Sequence, residues 1–262
     1  MTLHVEIRGA GPDLVLLHGW ALHGSMWGPW LDGLARQARL HVLDLPGHGL
    51  SAWPAGVRDL AGLAGAVFPA VPQGAAVLGW SLGGMVALEL ARQHPRHLRA
   101  LVLVGTTPKF LAGRDWDHGL RPGDLDEFSA GLAGDYRRTV QNFLALQTRG
   151  DEHALETLRL LRRRLAMHGE PDRAALAAGL GILREADLRD ALPRITLPAL
   201  VVAGEHDRLT PPEAGRALAL GLPAARFKLV ERSGHAPFLS HAAEVLAEVG
   251  GFLARHPGEH AA

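Results

Sequence analysis

The stretch GWSLGG, residues 79–84, follows an apolar run, Ala75-Ala76-Val77-Leu78, and opens a segment with helical spacing. A strand that turns sharply into a helix through Gly-x-Ser-x-Gly holds the serine at the tip of the bend. The flanking glycines remove side chains that would clash where strand meets helix. In a chain with 32 glycines the pattern alone is weak, arising by chance in roughly one such chain in ten. Its place between an apolar run and a helix gives it weight.

Outward from this point, short apolar runs recur at Leu14–Leu17, Leu40–Leu45, Leu101–Val104 and Leu200–Ala203, with Phe227–Val230 as the last. Each reads as a buried strand bounded by Gly, Pro or charge. Ser25–Gln37 and Leu82–Gln93 have helical spacing, the second with Leu82, Met85, Val86 and Leu90 on its apolar stripe. Strands alternating with helices predict an α/β chain with a mostly parallel central sheet flanked by helices. The alternation fails in the middle of the chain, where helical patterns carry no convincing strand. The expected organisation is a sheet core made of residues 1–107 and 186–262, with residues 108–185 as a helical cap insertion.

The 262 residues hold 27 Lys+Arg against 27 Asp+Glu, so nothing global points to nucleic acid or an anionic membrane. Cysteine is absent, which removes disulfides, thiolate metal sites and a cysteine nucleophile together. The first residues have neither a basic nor an apolar leader region, and no apolar run approaches the ~20 residues of a membrane helix. A cytoplasmic protein is expected. Metal-binding helix motifs, phosphate loops and dinucleotide fingerprints are missing from the sequence.

A serine hydroxyl needs a base to become a nucleophile at neutral pH. Among fifteen histidines, His235 stands out because Ser233-Gly234-His235-Ala236-Pro237-Phe238 follows the last predicted strand on a glycine-containing loop. An acid must then fix the imidazole. Asp207 lies just beyond the end of a strand, where open α/β sheets build their sites, and Glu205 is the competing carboxylate. The order Ser81, Asp207, His235 is that of an α/β-hydrolase triad. Backbone N–H groups of Leu82 and Trp20, the latter in Leu17-His18-Gly19-Trp20, are the candidate oxyanion donors. Asp44-Leu45-Pro46-Gly47-His48-Gly49 reads as a structural loop beside them.

These residues resemble the α/β-hydrolase superfamily. The resemblance narrows to the pimeloyl-[acyl-carrier protein] methyl ester carboxylesterases of biotin synthesis. It does so through Arg138-Thr139-Val140, Phe143-Leu144-Ala145-Leu146-Gln147-Thr148, Leu183–Arg189 and His235–His241. It implies a helical cap after the sixth strand, Ser81, Asp207 and His235 as the triad, and Trp20 and Leu82 at the oxyanion and substrate site. It also implies acyl-chain contacts from Phe143, Leu144, Ala145, Leu146 and Gln147. Basic cap residues would grip an acidic acyl-carrier protein, with Arg138, Arg159, Arg162 and Arg163 as candidates and Arg164 adjacent. Asn142 and Leu155 stand where further arginines are expected. Asp151-Glu152 and the arginines at opposite ends of one helix also complement its dipole. The expected enzyme is a monomer that needs no cofactor or metal. Competing readings are a broader carboxylesterase, a lactonase or C–C hydrolase with the same triad, or a non-catalytic ligand-binding protein.

Overall fold

The computed structural model describes residues 3–258. Its strands are β1 (Val5–Arg8), β2 (Asp13–Leu17), β3 (Arg39–Leu43), β4 (Ala75–Trp80), β5 (Leu98–Val104), β6 (Ala199–Gly204) and β7 (Ala225–Val230). They form one seven-stranded sheet in the order β1-β3-β2-β4-β5-β6-β7. All neighbours are parallel except β1, which pairs antiparallel with β3. The central strands are apolar but for Asp13 and Arg99 near their starts, because helices cover both faces. Alternate residues feed two separate cores. Val15, Leu17 and Val77 pack on one face with Leu63, Met85 and Leu218. Leu14, Leu16, Leu78 and Trp80 pack on the other with Leu31, Val249 and Phe252.

The covering helices are α1 (Trp30–Ala35), α2 (Leu60–Val67) and α3 (Leu82–Gln93) before the middle of the chain. Between β5 and β6 lie four helices: α4 (Pro122–Gly134), α5 (Tyr136–Gln147), α6 (Ala154–Leu165) and α7 (Arg173–Glu185). After them come α8 (Pro212–Gly221), α9 (Pro237–Ser240) and α10 (Ala242–Arg255). An isolated bridge between Lys109 and Asp187 ties together the two chain ends of the helical block. Asp135 caps α5 through the Arg138 amide, and Asp172 caps α7 through the Ala174 and Ala175 amides.

Three sequence expectations need correction. Among the described residues five strands precede the helical block, so it follows the fifth strand, not the sixth. The runs read as strands omit β1, an edge strand with three exposed residues and two charges that leaves no apolar signature. The segment 25–37 is not one helix. A 3₁₀ turn at Gly24–Trp27 is broken by Gly28, at φ 61°, and α1 starts only after Pro29. Proline lacks the N–H that a continuous helix needs and pushes its predecessor out of helical geometry.

Candidate active site

Ser81 joins β4 to α3 with φ 56° and ψ −120°, a conformation that costs about 1–3 kcal/mol in a non-glycine residue. The surroundings hold it there. Its amide donates to the Val104 carbonyl at 3.0 Å, and its carbonyl accepts from Thr106 Oγ1 at 2.7 Å. A Cβ on Gly79 would collide with the Gly83 carbonyl, and one on Gly83 with the Leu17 carbonyl. Glycine is therefore required at both places for strand, elbow and helix to meet.

His235 sits on the loop between β7 and α9, fixed at both backbone polar groups. Its amide donates to the Gln147 carbonyl at 2.8 Å, and its carbonyl accepts from Trp80 Nε1 at 2.9 Å. Trp80 immediately precedes Ser81, so one indole ties the serine and histidine segments together. The His235 imidazole Nδ1 meets Asp207 Oδ2 at 2.7 Å. An ionised carboxylate only accepts, so Nδ1 is assigned the hydrogen and Nε2 the lone pair. Asp207 itself is held by the Leu209 and Thr210 amides on Oδ1 (2.9 and 3.0 Å) and by Thr210 Oγ1 on Oδ2 (2.8 Å). Ser81, Asp207 and His235 are all buried, and Nε2 has no hydrogen-bond partner among the described residues, Ser81 Oγ included. Glu205 is exposed and accepts from the Arg232 amide, away from the imidazole.

On the far side of Ser81 the loop after β2 turns at Gly19–Leu22. There the Leu22 amide donates to the Gly19 carbonyl, and the Ala21 amide reaches His48 Nε2 at 3.3 Å. The Trp20 amide between them carries no such bond among the described residues. The Leu82 amide, first in α3, has no carbonyl one turn earlier to bond. Two buried histidines shape this loop. His18 bridges the Gly19 carbonyl (Nδ1, 2.8 Å) and the Leu45 amide (Nε2, 2.9 Å). His48 bridges the Pro46 carbonyl and the Ala21 amide. Burial, reinforced by the neighbouring His48, depresses His18 to about 3, so it stays neutral. Asp44 accepts from the Gly24 and Leu50 amides, consistent with a structural loop.

The residues of 143–147 do not share one face. Phe143 meets the Trp20 ring edge-on at 5.2 Å, and Trp20 Nε1 donates to the Leu176 carbonyl in α7. Gln147, one turn on from Phe143, is 1% exposed, and neither atom of its amide has a partner among the described residues. Leu144 is buried in the second core with Trp27 and Trp80, and Ala145 is half-buried. Leu146 lines a cavity of about 960 Å³ with Arg138, Arg149, Arg208 and Asn142, and that cavity is not lined by Ser81 or His235. Arg159, Arg162 and Arg163 are exposed on α6, as is Leu155.

Sequence reasoning missed two residues. Asp151 is buried between α5 and α6 and accepts from the Gly234 amide at 2.8 Å, so the helical block helps to shape the His235 loop. Thr210 braces Asp207 from three residues on. Only Thr210 had a local signal, an Asx-type turn reading Asp-x-x-Thr.

A family profile described as alpha/beta hydrolase fold matches residues 12–242. The chain is 44% identical over 252 residues to a pimeloyl-[acyl-carrier protein] methyl ester esterase of Stenotrophomonas maltophilia, covering 96% of each chain. It is 44% identical to the protein of the same name from Aeromonas hydrophila, covering 92% of this chain and 95% of that one. Among solved structures, an esterase from Exiguobacterium antarcticum superposes with a TM-score of 0.87 at 24% identity, covering 96% of this chain and 95% of that one.

Proposed function

The chain belongs to the α/β-hydrolase fold family, and from that premise we propose that it is a serine carboxylesterase. Its substrate in this reading is the methyl ester of pimeloyl-[acyl-carrier protein], as the names of relatives 44% identical to it suggest. The observation that carries the chemistry is the buried His235–Asp207 pair at 2.7 Å, whose Nε2 is unpartnered among the described residues, together with the strained Ser81 elbow.

His235 Nε2 takes the proton of Ser81 as Oγ attacks the ester carbonyl. The amides of Trp20 and Leu82 receive the developing oxyanion, and Asp207 holds the imidazolium. Collapse expels methanol, which leaves with the proton from His235. Water, deprotonated by the same imidazole, then attacks the acyl-enzyme and releases the carboxylic acid. One chain supplies all three groups, so a monomer suffices. Every step is acid–base and acyl-transfer chemistry of side chains.

The helices between β5 and β6 act as the cap. Phe143 and Gln147 face Trp20 and the His235 loop and are the acyl contacts we favour, with Leu82 at the elbow. Leu144 serves packing, and Ala145 and Leu146 follow the helix outward. A methyl ester suits an apolar channel because it hides the terminal charge that hydrolysis exposes. Arg138, with Arg159, Arg162 and Arg163 on the neighbouring helix, offers cations to the acidic carrier. The route is that of biotin synthesis, in the cytoplasm. Among the described residues no helix is long and apolar enough to cross a membrane.

Purified protein and its Ser81→Ala variant, assayed on the pimeloyl-carrier methyl ester and on the free methyl ester, test the reading. The wild type is expected to release methanol from both and to favour the carrier-linked ester. The variant should lose about 10⁴-fold or more in kcat. Retained activity in the variant removes Ser81 from the chemistry. A wild type that ignores the carrier-linked ester removes the substrate.

A further inference from the structure

Glu152, His153 and His241 come together on the surface where the α5–α6 loop meets the end of α9. One ligand atom from each lies within 4.8 Å of the others. Glu152 Oε1 is 2.9 Å from His241 Nε2 and 3.8 Å from His153 Nε2. Ligand atoms around a tetrahedral zinc at ~2.0–2.1 Å lie about 3.3 Å from one another. The two separations from Glu152 straddle that value, and side-chain rotation would have to bring the two imidazole nitrogens into the same range.

The supporting contacts are in place. His241 Nδ1 pairs with Ser240 Oγ at 2.9 Å, which leaves Nε2 as the outward-facing nitrogen. Glu152 Oε2 is held by Arg232 Nη1 at 2.9 Å, which leaves Oε1 toward the two imidazoles. Arg232 is a cation that opposes a metal here, and at 70% exposure its charge is largely screened by solvent and salt.

We propose that Glu152, His153 and His241 form a binding site for a divalent transition metal such as Zn²⁺, clamping the α5–α6 loop to the segment that follows His235. Two imidazoles and a carboxylate suit zinc rather than magnesium or calcium, and the fourth position faces solvent. The clamp adds to bonds that already join the same elements: Glu152 amide to Arg232 carbonyl, Gly234 amide to Asp151, and His235 amide to Gln147 carbonyl. An ion here would therefore stiffen the junction through which the helical block positions His235. Sequence spacing hides the site, because residues 152–153 and 241 come from different parts of the chain.

The test is calorimetric titration of the untagged, metal-stripped full chain with Zn²⁺ and, as control, Mg²⁺. The wild type is expected to take up one Zn²⁺ with micromolar affinity, to melt at a higher temperature in its presence, and to ignore Mg²⁺. His153→Ala and His241→Gln are each expected to weaken uptake at least ~10-fold, with unstripped melts confirming that they fold. Co²⁺ in place of Zn²⁺ should give visible bands of a low-coordinate site that both substitutions remove. Should His241→Gln fail to fold, His153→Ala decides alone, since its ring is half exposed. No uptake by the wild type, or equal affinity in the folded variants, overturns the proposal.

Discussion

Gln147→Leu is expected to raise stability and lower activity together. Gln147 is 1% exposed, and both polar atoms of its side chain lack partners among the described residues. A buried unsatisfied donor or acceptor costs about 1–3 kcal/mol. Leucine matches glutamine in helix propensity and keeps most of the volume, and the Gln147 carbonyl that holds His235 is unchanged. Removing both orphaned atoms should gain about 2 kcal/mol after some loss of packing, or roughly 4–8 °C in melting temperature for a chain of this size. If the amide is reserved for the bound ester, the same change loses one hydrogen bond in the complex. KM for the carrier-linked methyl ester should then rise about 10-fold, equivalent to ~1.4 kcal/mol, with kcat less affected. Thermal melts and steady-state methanol release read the two halves separately. A lower melting temperature shows that the amide is satisfied in the free protein and refutes the reasoning. An unchanged KM removes Gln147 from the substrate site even if stability rises.

The proposed acid can be separated from its neighbour, because Asp207 bonds the imidazole while Glu205 bonds the Arg232 amide. Asp207→Asn should cut kcat about 10⁴-fold, whereas Glu205→Ala should keep most of it; the reverse outcome would exchange their roles. Stability should depend on pH through His18, whose folded form resists protonation down to about 3 while the unfolded chain accepts a proton near 6.5. Its contribution is complete above pH 6.5 and is lost as pH falls toward 3, at about 1.4 kcal/mol per pH unit. Urea midpoints between pH 6 and 4 should fall less steeply in His18→Gln, and an equal slope would refute the assignment. Arg138→Glu should raise KM for the carrier-linked ester several-fold at low salt and leave the free methyl ester unaffected. An equal effect on both substrates would take Arg138 out of the carrier contact.

Much of the site was legible because its signals are local. The Ser81 elbow is written in adjacent residues, since the crowding that excludes side chains at Gly79 and Gly83 arises within one strand–turn–helix unit. Asp207 and His235, which the structure brings within 2.7 Å of each other, could be singled out because each follows an apolar strand, and the direction of a parallel sheet brings those ends to one edge. The edge strand β1 escaped because exposure on three of its four residues removes the alternation that marks a strand. The split between Gly24–Trp27 and α1 escaped because apolar spacing outweighed the Gly28-Pro29 break in the reading.

What the sequence withheld is the coupling between the helical block and the His235 loop, and that coupling bears most directly on function. Phe143 and Gln147 are one helical turn apart and could be read as a stripe, but nothing in their spacing says that the Gln147 carbonyl accepts the His235 amide. Nor does any local pattern reveal that Asp151 accepts the Gly234 amide, or that Glu152 meets His241 across 89 residues. In the proposed mechanism these contacts make α5, which carries the proposed acyl contacts, part of the frame that holds His235. A substitution on α5 can therefore change kcat as well as KM without touching substrate. Acyl-chain preference and catalytic rate in this protein should accordingly vary together rather than independently.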